Sequence, residues 1–129
     1  MSGHTMVKEA QEILEPCKHP DRDLGNIAWY QGLKPRDARR LMEIGAADAN
    51  DRQNDAPTFS DLTDMAEEFG LALHGYHVLP EREDERITAE GVAGYIPVER
   101  VIPLLVGELR FADELSYDPE TGWLRAWWD

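Results

Sequence analysis

The chain is 129 residues long, 42% hydrophobic and 30% charged, the composition of one ordinary globular domain over 1–129 that needs no disulfide or metal to hold it together. Its 26 acidic side chains outnumber 13 lysines and arginines, and a net charge of −13 opposes contact with nucleic acid or an anionic membrane. The lone cysteine excludes an intrachain disulfide, and the sequence has neither a secretory pattern nor a bilayer-length apolar run, which together predict a cytoplasmic protein.

Residues 1–5 read as a disordered or expression-derived leader. The first helix is predicted from about Thr5 to Glu15, because Val7, Ala10, Ile13 and Leu14 recur near the 3.6-residue period. Pro16 and Pro20 end it and predict a loop over Cys17–Asp23. Asn26–Tyr30 is apolar but too brief to type. A second helix begins at Pro35, whose missing N–H costs nothing in a first turn. It turns Ala38, Leu41, Met42 and Ala46 inward, with Gly45 weakening its end. Residues 51–57 form a polar loop between a helical half and a strand-rich half.

The third helix has the clearest boundaries. Thr58 is a natural N-cap with Asp61 in the capping-box position, and Gly70 suits the left-handed residue that ends many helices. Between them Phe59, Leu62, Met65, Ala66 and Phe69 form one apolar face. From Leu71 the period changes to 2, so Leu71–Leu79 is a strand, Pro80–Glu85 a charged hairpin loop and Arg86–Val92 the returning strand. Over 94–113 a turn after Pro97 and a helix near 103–111 are expected, since Pro103 fits a helix start better than a helix interior. The tail reads as a second hairpin, Glu114–Asp118 and Trp123–Trp128 around Pro119–Gly122. Alternation turns Trp123, Arg125 and Trp127 one way and Leu124, Ala126 and Trp128 the other. Three helices followed by two hairpins with a helix between them describe an α+β fold, helices packed on a mainly antiparallel sheet.

Residues of metal-binding type occur as Cys17-x-His19 and His74-x-x-His77. Neither has paired-ligand spacing, and on a strand His74 and His77 point to opposite faces, so neither a metal nor any other cofactor is expected. The sequence has no phosphate-binding loop, dinucleotide glycine pattern, nucleophile elbow or zinc-protease motif. Adjacent carboxylates arise by chance among 26, so no catalytic residue is assigned.

The distribution of charge is more informative. Residues 1–50 carry seven basic and eight acidic side chains, whereas residues 51–129 carry six arginines against eighteen acids. The expectation is a non-catalytic interaction or inhibitor protein whose acidic half meets a basic protein surface, in its sharpest form as a nucleic-acid mimic. Glu81, Glu83, Asp84 and Glu85, with Trp127 and Trp128 as anchors, are the partner-contact candidates. Arg36, Arg39 and Arg40 form a basic stripe that could meet an anion, including the acidic half of a second copy in a homo-oligomer. Two alternatives stand beside this reading: a small metal-dependent enzyme using His74, His77 and carboxylates, and an ordinary domain from a high-salt cytosol whose acidity serves solvation.

Overall fold

The computed structural model of the chain describes residues 8–23, 27–52, 56–78 and 86–128. The first helix, α1 (Lys8–Leu14), buries Ala10 and Leu14 and tightens into a 3-10 turn, Glu15–Cys17, at Pro16. The next segment corrects the expected loop. Lys18–Asp23 is a strand, β1, paired irregularly with β2 (Ile27–Leu33), Lys18 opposite Tyr30 and Asp23 opposite Ala28. It is an edge strand, where Pro20 can sit without removing a bond from the sheet interior.

Helix α2 (Pro35–Glu43) starts at the predicted proline and buries Ala38 and Leu41. Helix α3 (Phe59–Phe69) has the predicted caps: the Asp61 amide donates to Thr58 Oγ1 at 3.1 Å, and Gly70 adopts φ 71°. Phe59, Leu62, Met65 and Ala66 are buried, but Phe69 is only partly so and lies under the Arg100 guanidinium, 5.4 Å from its ring centre. At the last turn the apolar face has rotated to the rim.

Strands β3 (Ala72–Val78) and β4 (Arg86–Tyr95) form the first predicted hairpin; β5 (Glu114–Asp118) and β6 (Trp123–Trp127) form the second. Together with β1 and β2 they make one antiparallel sheet in the order β1-β2-β3-β4-β6-β5. The helix between the hairpins, α4 (Val98–Val106), begins five residues before the predicted start and holds Pro103 in its interior. Pro103 is exposed while Val101 and Leu104 are buried, so the Glu99 carbonyl deprived of its i+4 donor lies on the solvent side, where water can serve it.

The core lies between the helices and one sheet face, where Leu73, Val92, Leu124 and Ala126 meet Leu41, Phe59, Leu62 and Leu104. Burial at this scale is the main favourable term, about 1.5–3 kcal/mol for each large aliphatic side chain fully removed from water. Tyr30 reaches across this face to donate its hydroxyl to the Thr88 carbonyl at 2.6 Å. Gly75, opposite Tyr30, permits the close approach: a β-carbon there would collide with the same Thr88 oxygen. Among the described residues no helix is long and apolar enough to cross a membrane.

Candidate functional site

Alternation along the strands leaves the second sheet face to Trp29, His74, Tyr76, Trp127, Arg125, Ala72, Ala93, Tyr95 and Trp123, and the register places them in rows. His74 lies opposite Gly91, which lies opposite Trp127; Ala72 lies opposite Ala93, which lies opposite Arg125; Tyr95 lies opposite Trp123. The first row is roofed. Trp29 and Trp127 reach over the two strands between them and meet edge to face with ring centres 6.1 Å apart, and Trp29 meets Tyr76 at 5.7 Å. His74 is 8% exposed and stands edge-on to Trp127 at 6.3 Å.

A bulge sets this row. Gly75 pairs with Ala89 and His74 with Gly91, so Glu90 is the extra residue of β4. Its buried carboxylate accepts the Trp127 indole N–H at 2.6 Å, and its carbonyl accepts the Trp128 amide at 2.8 Å. Burial pushes the His74 imidazole down to a pKa of about 4, with repulsion from Arg125 adding to the shift and the nearby backbone of Ala126 and Val92 opposing it. His74 is therefore neutral at pH 7, and among the described residues its buried Nε2 has no hydrogen-bond partner of good geometry.

The second and third rows are not roofed. They form the floor and far end of a cleft of about 1060 Å³ that runs to the end of the sheet where β2 enters α2 and α3 enters β3. Ala72, Ala93 and Gly94 make a shallow floor, and Trp29 with Trp127 makes one wall. The exposed pair Tyr95–Trp123, ring centres 4.9 Å apart, makes the other. Arg125, its guanidinium 4.9 Å from the Trp127 ring centre, flanks one side; Lys34 and Arg36 flank the opposite mouth. Glu67 is the carboxylate among the lining residues, and Arg39 already holds it at 3.0 and 3.2 Å.

The described candidates named from the sequence are not brought together. Glu81, Glu83, Asp84 and Glu85 lie outside the described residues, as does the side chain of His19. Trp127 is half-buried on the uncovered face, whereas Trp128 is buried in the core and cannot be a partner contact. The basic stripe is largely committed within the fold. Arg39 also binds Asp64 at 2.9 Å, tying α2 to α3, and Arg40 binds Glu9 at 2.6 and 3.0 Å, tying α2 to α1. These carboxylates raise both guanidinium pKa values. Arg36 reaches Asp37 at 3.6 Å with its side chain 85% exposed. His77 lies on the covered face opposite Ala28 and Ile87, across the sheet from His74. Cys17 is part-buried, its sulfur 3.8 Å from the Ile13 and Gly32 carbonyls; burial, then the Asp37 carboxylate, push its thiol pKa up. Among the described residues no three His, Cys, Asp or Glu side chains are placed to share a metal ion.

Sequence reading missed Trp29, Gly91 and Tyr95. Trp29 sat in a segment too short to type, and without its strand no face could be given to it.

A second surface concerns apolar groups left in water. Val98, Ile102 and Val106, spaced four apart on α4, are 49%, 54% and 67% exposed, and Phe111 in the segment leading to β5 is 74% exposed. Leu115 is exposed on β5, the strand that ends the sheet order. The same stretch presents exposed Glu99, Glu108, Asp113, Glu114, Asp118 and Glu120. Its two arginines are engaged locally, Arg100 on Phe69 and the Glu68 carbonyl, Arg110 over Phe111. Compared with protein-family models, curated proteins and solved structures, the chain has no match.

Proposed function

We propose that this protein is a non-catalytic interaction protein that binds a basic protein surface, and that the contact is made by α4 and the segment leading into the edge strand β5. The observation that carries the reading is the outward line Val98, Ile102 and Val106, continued in sequence by Phe111 and Leu115, in a stretch where the exposed carboxylates Glu99, Glu108, Asp113, Glu114, Asp118 and Glu120 outnumber Arg100 and Arg110. An apolar centre with a charged rim is the anatomy of a protein interface: the apolar groups supply affinity, the rim supplies partner choice and encounter rate. A partner of matching chemistry carries lysines and arginines around an apolar patch. The chain's net charge of −13 would steer such a partner inwards over roughly a Debye length, about 8 Å at physiological salt.

The apolar line favours a protein partner over the narrower idea of a nucleic-acid mimic, since phosphates offer nothing to imitate at Ile102 or Phe111. The test is quantitative affinity capture from the source cells with the full chain, with Ile102→Asp, and with the Glu114→Lys, Asp118→Lys pair. A basic protein enriched by the wild type and lost with both variants supports the reading. Equal recovery by all three chains, or recovery of acidic proteins, contradicts it.

A further inference from the structure

The uncovered sheet face carries a cleft whose lining residues are separate from those of the α4 surface. The geometry points to a nucleoside phosphate as the ligand of the cleft between the Trp29–Trp127 wall and the Tyr95–Trp123 pair, its base over Ala72 and Ala93 and its phosphate on Arg125 or at Lys34 and Arg36.

Three observations support this assignment. The first is local charge. In a chain of net charge −13, the described residues lining the cleft contribute Lys34, Arg36 and Arg125 against Glu67, and Glu67 is spent on Arg39. Lys34 and Arg125 form no ion pair with any described carboxylate, so both guard the cleft with charge to spare. The second is shape. Alanine at two neighbouring positions keeps the floor shallow, while aromatic side chains rise at both ends; a planar ring fits flat on such a floor and stacks against such walls. The third is size. About 1060 Å³ is at the large end of small-molecule sites and leaves room for a nucleoside phosphate. Cations on two sides of the floor suit a ligand whose ring and anion are held apart by a polar spacer, as a sugar does.

A polynucleotide is a poorer fit. Each added phosphate would feel the repulsion of the whole chain, whereas one phosphate is answered by the cations at the cleft. His74 lines the roofed end as a neutral ring and adds no charge to phosphate binding at pH 7.

Isothermal titration calorimetry on the full chain, at physiological salt, tests the site with AMP, GMP and UMP as probes and adenosine, benzoate and a single-stranded oligonucleotide as comparisons. We expect saturable binding of at least one mononucleotide at one site per chain, with the matching nucleoside and benzoate about tenfold or more weaker. Arg125→Gln and the Lys34→Gln, Arg36→Gln pair should between them lower affinity by about tenfold or more, the usual size of a charge-assisted contact. Ala93→Leu should abolish binding by filling the floor; Ala72→Leu repeats the test should the first variant melt early. The assignment is overturned by the absence of heat with all three nucleotides, by a nucleoside or benzoate that binds as tightly as the nucleotide, by tighter binding of the oligonucleotide, or by folded floor variants that bind as the wild type does.

Discussion

The His74 imidazole lies directly over Gly91, so close that a β-carbon at residue 91 would stand 2.8 Å from both its Cε1 and its Nε2 and would also strike the Ala126 carbonyl. Gly91 is thus the position that lets a ring lie flat on β4 while β6 pairs alongside. Gly91→Ala should displace the ring or part β4 from β6, at a cost of about 1–3 kcal/mol, the usual range for overpacking. Urea unfolding reads it, and a change within about 0.5 kcal/mol would mean the row relaxes freely.

The same histidine makes stability depend on pH. Its pKa is about 4 in the fold against 6.5 when unperturbed, so between those values the unfolded chain binds the additional proton. Stability should therefore be full above about pH 6.5 and fall as pH drops towards 4, by up to about 3 kcal/mol in total from this group. Carboxylates titrate in the lower part of that window, so the measurement is the difference between wild type and His74→Gln. The variant should lose the slope between about pH 6.5 and 5; an unchanged slope would place the proton uptake elsewhere.

Two phenylalanines on α3 should behave differently. Phe59 is 1% exposed in the core, and Phe59→Ala should cost about 3–5 kcal/mol. Phe69 is part-buried beneath Arg100, and Phe69→Ala should cost well under half as much. Equal losses in chemical denaturation would show that the face continues to the last turn.

Cys17 should be a sluggish nucleophile. Burial and the Asp37 carboxylate both disfavour its thiolate, so alkylation by iodoacetamide at pH 7 should run slower than for an unstructured peptide thiol, and Cys17→Ser should leave the melting temperature nearly unchanged. Faster alkylation than the peptide would mean that a cation such as Lys18 outweighs burial and the Asp37 carboxylate.

Much of the architecture could be read from local chemistry. Thr58 and Gly70 mark the ends of α3, and the change of period at Leu71 marks β3, because caps and alternation are properties of neighbouring residues. Where reading failed, a tertiary relation decided. Pro20 signals a loop unless the strand lies at an edge, and Pro103 signals a helix start unless the carbonyl it strands faces water; neither condition is local. The cleft was half visible. The alternation that puts Trp123, Arg125 and Trp127 on one face was legible, but their meeting with Trp29 depends on strand order, and strand order is not encoded by any one segment. The ion pairs of the basic stripe were hidden for a related reason: apart from Glu43, the acids that pair with Arg39 and Arg40 come from other helices.

Amide hydrogen exchange on the chain, alone and with the basic protein recovered by capture, tests the proposed interface most directly. Slowed exchange concentrated in Val98–Val106 and Glu114–Asp118, weakening as salt rises, is the predicted result. Slowed exchange confined to α1 and α2, with α4 and β5 exchanging as in the free chain, would contradict it.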